Sequence, residues 1–134
     1  MKIAEIEYLG NLKTHCTHLA SGKSIITDAP KDNNGDGSAF SPTDLVATSL
    51  GACMLTIMGI KARGLGLDIH NTRISVSKEM GDKPRRIKKI IISIDLRRNN
   101  LSPEDTKVLE KAALSCPVGF TLNSDVEQEV EFIV

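Results

Sequence analysis

The longest uncharged stretch of the sequence covers residues 45–60, and it constrains the fold more than any other segment. Ser41 and Pro42 precede it, a pair typical of a helix N-cap followed by proline in the first turn. Asp44 follows, where a carboxylate complements the helix dipole. A helix that is apolar on nearly every side must be buried on most sides. We therefore predict a long central helix over residues 42–63.

This run is shorter than the roughly 20 apolar residues that a membrane-spanning helix needs, and it contains Gly51 and Gly59. We interpret it as a core helix rather than a membrane anchor. Residues 1–10 lack the apolar core of a signal peptide. We therefore expect a cytoplasmic protein with no membrane partner, whose thiols stay reduced.

The charge balance bears on the possible partners. The 17 basic and 17 acidic residues give a net charge of zero, which argues against nucleic acid as a partner. One local basic cluster could bind RNA or phosphate, but we interpret it as a solvated strand edge. Its members are Lys83, Arg85, Arg86, Lys88 and Lys89.

Alternating apolar and polar residues predict strands on both sides of the central helix. Three short strands precede it, at about 2–9, 12–19 and 24–27. After it we predict a hairpin (68–79 and 86–96), an amphipathic helix (103–115), a short helix (117–122) and a last strand (126–134). Because hairpins dominate, we predict one α+β domain over residues 1–134, with a largely antiparallel sheet around the central helix.

The polar loop over residues 30–39 has a partial resemblance to a calcium-binding loop. Asp32, Asn34 and Asp36 have the spacing of the first three ligands, and Gly37 falls at the sixth position. The twelfth position, which should hold a glutamate, holds Thr43. We therefore interpret the segment as a solvated surface loop without a metal.

Three cysteines in a chain of this size do not form a disulfide framework. Cys53 lies in the middle of the predicted central helix, and this setting alone favours a packing residue, because free cysteine is among the most buried residue types. Cys16 would share a strand face with His18 and could begin a zinc site. No further ligand closes such a site, so we predict a partly exposed strand thiol and no metal.

Cys116 precedes Pro117 at a predicted helix junction. The N-terminal end of a helix offers unpaired N–H groups and the positive end of a dipole. Such a position lowers the pKa of a thiol and favours the thiolate. The alternative is a cysteine that acts as an ordinary helix cap.

Two motifs together resemble the OsmC/Ohr family, the osmotically induced and organic hydroperoxide resistance proteins. The first is Ser-Pro-Thr-Asp-Leu at 41–45 with Gly-Ala-Cys at 51–53, and the second is Cys-Pro-Val at 116–118. The order of strands and helices also agrees, so the resemblance covers nearly the whole chain. It implies an OsmC-like fold that forms an intertwined homodimer and takes part in a stress response.

The resemblance also implies a thiol-dependent peroxidase with catalytic roles for Cys53, Cys116 and Asp44. Cys53 would be peroxidatic and become sulfenic acid, and Cys116 would resolve it as a disulfide. The partners implied are a hydroperoxide substrate and an external dithiol reductant, with no cofactor.

The helix-entry motif departs from that of well-characterised family members, in which a glutamate follows the proline and an N-terminal arginine assists. Here Thr43 follows Pro42, the acid is Asp44, and no arginine occurs before Arg63. In this respect the chain resembles a less characterised branch. The alternative function is a non-peroxidase protein that binds a small apolar or thiol ligand on the same fold.

Overall fold

The computed structural model describes all residues from 1 to 134. Strands β1 (Ala4–Gly10), β2 (Lys13–His18) and β3 (Ser24–Asp28) come first, followed by a single 3-10 turn at Lys31–Asn33 and helix α1 (Pro42–Gly64). Then come β4 (Arg73–Gly81), β5 (Arg86–Asp95), α2 (Pro103–Ala113), α3 (Pro117–Thr121) and β6 (Glu127–Ile133). All the predicted helices and strands are present, and the 3-10 turn was not predicted.

The largest error in the predicted boundaries is at the start of β4, which begins at Arg73 rather than at residue 68. The Asp68 carboxylate accepts hydrogen bonds from the backbone N–H and the ring of His70, at 3.0 and 2.8 Å. The N–H of Thr72 donates to the carbonyl of Ile69. An aspartate that bonds to the backbone two residues on favours a turn over a strand.

The chain divides into two compact units, Met1–Val46 and Ala47–Val134. The first unit contains an antiparallel sheet in the order β1-β2-β3. Ile6, Cys16 and Ile25 are paired across its three strands and therefore share a face. Ile6 is 69% exposed and Ile25 is 47% exposed, so this face presents apolar side chains to the outside of the chain.

A buried carboxylate fixes the loop that follows β3. Asp28 is fully buried and accepts hydrogen bonds from the backbone N–H and the hydroxyl of Ser38, at 2.9 and 2.6 Å. The Lys13 ammonium lies 3.5 Å from Asp28 and 2.8 Å from Asp36. The hydrogen bonds from Ser38 have the largest effect in lowering the pKa of Asp28, and the positive charge of Lys13 lowers it further. The loop is thus closed at its base, and one of the acids considered as a calcium ligand is paired with lysine.

The second unit contains a separate sheet in the order β4-β5-β6. β4 and β5 form the predicted antiparallel hairpin, but β6 pairs with β5 in parallel. Three of the four strand pairs are antiparallel, which confirms the prediction of a largely antiparallel arrangement, and β6 is the exception. The physical reason is that α2 and α3 lie between the two strands and return the chain to the same end of the sheet, as a parallel pair requires.

The core of the second unit is aliphatic, in line with the scarcity of aromatic residues. Ile90, Ile92 and Ile94 of β5 are buried, and so is a stripe along α1. The buried residues of this core are Ala47, Leu50, Met54, Met58, Ala62, Ile87, Ile90, Ile92, Ile94, Leu96, Leu109, Ala113 and Cys116. At Gly51 a Cβ would lie only 3.0 Å from Val76 Cγ2, so the helix backbone lies directly against the sheet.

The opposite side of α1 is also apolar, but it is not covered. Val46, Ala52 and Ile60 are exposed. Only 33% of the most apolar 18-residue stretch of the helix is buried. The expectation of burial on most sides is thus wrong for the single chain. By length and composition alone the helix could also cross a membrane, a property that core helices of soluble proteins share. The absence of a membrane partner stays a prediction.

Candidate functional site

Cys116 is the N-cap of α3, as the Cys-Pro pair predicts. Its backbone is extended (φ −73°, ψ 139°), and Pro117 occupies the first turn of the helix. The Cys116 side chain is 1% exposed, and its Sγ accepts a hydrogen bond from the N–H of Gly119 at 3.3 Å. The sulfur therefore occupies the position that an oxygen takes in an ordinary helix cap.

The predicted direction of the Cys116 pKa is wrong, although the predicted cap is present. Burial has the largest effect and raises the pKa of the thiol, because it disfavours the charged thiolate. The N–H groups of Gly119 and Val118 lower the pKa of Cys116, whereas the Cys53 thiol raises it further. The dipole and N–H groups were foreseeable from the sequence, but the depth of burial was not.

The structure brings Cys53 and Cys116 together. Cys53 lies on α1 and is half-buried at the margin of the core, so it is more accessible than Cys116. Both are free thiols, and Cys53 is close enough to Cys116 to raise the pKa of the Cys116 thiol. Two neighbouring free thiols, one more accessible and one buried, are candidates for a disulfide, whose formation requires Cα atoms within about 7 Å.

Two residues that the sequence did not single out support this thiol pair. Gly119 places its Cα close to the Cys116 sulfur, because a Cβ there would lie 3.4 Å from Sγ. Gln128 on β6 donates from Nε2 to the Gly119 carbonyl at 2.9 Å. Gln128 is the one polar side chain among the even positions of β6, and that interruption of an apolar pattern is the signal that could have indicated it.

Asp44 forms part of a capping box with Ser41 at the start of α1. The Ser41 N–H donates to Asp44 Oδ2 at 2.9 Å, and the Asp44 N–H donates to Ser41 Oγ at 3.0 Å. Ser41 is 1% exposed and Asp44 is half-buried. The structure thus gives Asp44 a defined structural task. Its catalytic role stays a prediction.

Cys16 and His18 each have nearby polar partners within the first unit. Cys16 Sγ lies 3.5 Å from the Thr14 hydroxyl, and His18 Nδ1 lies 2.6 Å from the Ser21 hydroxyl. No group of three or more His, Cys, Asp or Glu side chains in the chain is arranged to hold a metal ion. Cys16 is half-buried, in line with a partly exposed strand thiol.

The second unit also contains a cleft that does not include either thiol. Its volume is about 640 Å³, and it lies between the segment after β5, helix α2 and the C-terminal residue. The lining is mainly apolar, with charged side chains among it: Leu96, Arg97, Asn99, Leu101, Pro103, Thr106, Lys107, Glu110 and Val134. A small ligand could bind there without contact with the cysteines.

Comparison with known structures identifies the fold. A crystal structure from Psychrobacter arcticus 273-4, provisionally described as an osmotic stress induced and detoxification response protein, superimposes with a TM-score of 0.94. It is 45% identical in sequence, and the alignment covers 98% of this chain and 96% of that one. This similarity extends over both units.

More distant structures share the same fold. The organic hydroperoxide resistance protein OsmC of Legionella pneumophila matches with a TM-score of 0.78 at 16% identity, over 100% of this chain and 97% of that one. OhrB of Bacillus subtilis, an organic hydroperoxide resistance protein, matches with a TM-score of 0.69 at 18% identity, over 96% of each chain.

The sequence comparisons give a family but no named homologue. No curated protein sequence matches the chain significantly. The family model described as OsmC-like protein matches residues 35–131, which include α1, α2, α3 and both cysteines of the pair. The α+β architecture is therefore the OsmC-like fold, and the chain belongs to the OsmC-like protein family.

Proposed function

We propose that this protein reduces organic hydroperoxides, with Cys53 as the peroxidatic cysteine and Cys116 as the resolving cysteine. One observation carries the proposal: two free cysteines from distant parts of the chain, Cys53 and Cys116, pack at the same core and are near enough for the Cys53 thiol to affect the pKa of Cys116. Family membership supports a redox or hydroperoxide-related role, since proteins of the same fold are described as hydroperoxide resistance proteins.

Cys53 is less buried than Cys116, and this difference indicates which thiol reacts with the peroxide and which resolves the product. In the first step the Cys53 thiolate attacks a peroxide oxygen, the O–O bond breaks, and the alcohol leaves after taking up a proton. Cys53 becomes sulfenic acid, and the peroxide is reduced by two electrons. Cys53 suits this step because it is the more accessible thiol of the pair.

In the second step Cys116 attacks the oxidised Cys53 sulfur, a disulfide forms and water leaves. Burial raises the pKa of Cys116, so this thiol stays protonated and protected until its neighbour is oxidised. An external dithiol then reduces the disulfide through a mixed disulfide, which restores both thiols and oxidises the dithiol.

The proposed partner of the chain is a second copy of itself in an intertwined homodimer. Large apolar side chains are exposed in the first unit and on α1, and clustered exposed apolar side chains are typical of surfaces that a partner covers. They include Ile3, Ile6, Tyr8, Leu9, Ile25, Phe40, Val46 and Ile60. A second copy that covered Val46 and Ile60 would bury the uncovered side of α1.

The proposal is tested by measuring hydroperoxide consumption with a dithiol reductant. Wild type should consume cumene hydroperoxide catalytically and Cys53→Ser should not. When the dithiol is left out, Cys116→Ser should still consume about one equivalent, because Cys53 becomes sulfenic acid, but no Cys53–Cys116 disulfide should form. Cys16→Ser is the matched control and should keep wild-type turnover. Wild-type consumption no faster than that of Cys53→Ser would refute the peroxidase function.

The alternative, a non-peroxidase protein that binds a small ligand, is favoured by the mainly apolar cleft beside α2. It predicts that wild type and Cys53→Ser react equally slowly with peroxides. It also predicts that a small apolar probe raises the melting temperature of both proteins, and that Leu101→Arg in the cleft removes this increase.

A further inference from the structure

Gln128 interrupts the apolar inner face of the last strand. Along β6 the even positions point towards the core, and the other members of that face are Val130 and Phe132, while Val126 packs against the core just before the strand begins. Gln128 is half-buried and pairs in register with Ile90 of β5, which is fully buried. A polar amide in such a position costs stability unless its groups find partners, so its contacts indicate why it is there.

The partner of the Gln128 amide is the backbone of α3. Its Nε2 donates to the carbonyl oxygen of Gly119 at 2.9 Å. Carbonyls in the last turn of a helix have no partner within the helix, and α3 is so short that most of its carbonyls belong to that turn. The Val118 carbonyl accepts from the N–H of Leu122, whereas the Gly119 carbonyl accepts from a side chain on a different element.

Gly119 is also the residue whose N–H donates to the Cys116 sulfur, at 3.3 Å. Gly119 lies close to the side chains of both Gln128 and Cys116. A Cβ on Gly119 would be 3.1 Å from Gln128 Oε1, 3.4 Å from Cys116 Sγ and 3.7 Å from Leu50 Cδ1. Gly119 thus accepts a hydrogen bond from Gln128 at its carbonyl and donates one to the sulfur of Cys116 from its N–H.

We propose that Gln128 is a positioning residue for the resolving cysteine: by fixing Gly119, it keeps the Gly119 N–H directed at the Cys116 sulfur. This inference rests on the proposed function for its role in catalysis, but the geometry exists in the resting protein. An N–H group that donates to a thiolate stabilises it more strongly than it stabilises a neutral thiol. Gln128 therefore helps Cys116 to become the nucleophile that attacks oxidised Cys53.

The first test titrates Cys116 alone, so that it does not depend on peroxidase activity. In a Cys16→Ser/Cys53→Ser background, the ultraviolet absorbance of the thiolate is followed against pH. Gln128→Met keeps the size of the side chain and removes the donor, and it should move the titration midpoint of Cys116 to higher pH. Gln128→Glu should move it further in the same direction, because its carboxylate opposes a nearby thiolate.

Val130→Ala is the matched control on the same face of β6, since its side chain packs against the core and cannot hydrogen-bond to Gly119. Val130→Ala should lower the midpoint of urea unfolding and leave the titration midpoint of Cys116 unchanged. If the two Gln128 variants titrate as the background protein does, or if Val130→Ala moves the midpoint equally, Gln128 has only a structural role and the inference is wrong.

The second test follows the catalytic step in protein with all its cysteines. After one equivalent of cumene hydroperoxide, Gln128→Met should form the Cys53–Cys116 disulfide about two- to tenfold more slowly than wild type, the factor expected for loss of one hydrogen bond. Sulfenic acid trapped with dimedone should accumulate, and its rate of formation should be unchanged. Equal rates of disulfide formation would overturn the role in resolution even if the titration shifts.

Discussion

Two glycines on α1, Gly51 and Gly59, differ in their surroundings and provide a matched pair of substitutions. In a helix interior, alanine is more favourable than glycine by about 1 kcal/mol. At Gly59 a Cβ would have no heavy atom within 4 Å, so Gly59→Ala should gain up to about 1 kcal/mol. At Gly51 the same methyl group would lie 3.0 Å from Val76 Cγ2 and 3.2 Å from Ile74 Cγ2.

These distances are shorter than the roughly 3.5–4.0 Å that two carbon atoms prefer. Val76 and Ile74 are β-branched side chains on strand β4, so neither can turn away freely. Overpacking of this kind costs about 1–3 kcal/mol. After the gain in helix propensity is set against it, Gly51→Ala should be between neutral and about 2 kcal/mol less stable than wild type.

The assay is urea unfolding of both variants and wild type, with the midpoint and slope fitted together. Gly51→Ala should unfold at lower urea concentration than Gly59→Ala, with similar slopes. The reasoning is refuted if Gly51→Ala gains as much stability as Gly59→Ala. Each series is run at two protein concentrations, because a dimer would make the midpoint depend on concentration.

Two further predictions concern hydrogen bonds in the first unit. Ser41→Ala removes the acceptor of the capping box at α1 and should cost about 1 kcal/mol in urea unfolding, whereas Thr56→Ala on the exposed side of the same helix should cost less. Ser38→Ala removes the strongest of the contacts that lower the pKa of Asp28. A carboxyl group whose pKa is lower in the folded state stabilises the fold above its unfolded pKa, and this stability is lost as the pH falls through the folded pKa. Ser38→Ala should therefore lower the free energy of unfolding at pH 7. The difference from wild type should be smaller at about pH 3. A difference that grows towards acid pH would contradict this assignment.

The sequence predicted the features that depend on neighbouring residues. Ser102 accepts from the N–H of Asp105 and Pro103 begins α2, as the Ser-Pro pair before two acids indicates. Cys116 caps α3 by the same local logic. Helix starts of this kind are predictable because the capping group and the N–H that it satisfies lie within three residues.

The features that the sequence did not predict depend on contacts between distant segments. The pKa of Cys116 is governed by burial beneath neighbouring elements, which outweighs the local N–H groups that the sequence displays. The role of Gln128 depends on a contact with Gly119. The parallel pairing of β6 depends on where α2 and α3 return the chain, which no local pattern encodes.

The parallel pairing of β6 also affects the order in which the thiol site can be assembled. The β4–β5 hairpin closes through a short turn, whereas β6 must close a much longer loop that contains α2 and α3, at a greater cost in chain entropy. A folding intermediate with the hairpin but without β6 therefore has an unpaired β5 edge and lacks the Gln128 contact that holds Gly119. Until β6 pairs with β5, the Gly119 N–H that bonds the Cys116 sulfur lacks the support of Gln128, and the unpaired β5 edge can pair with another chain.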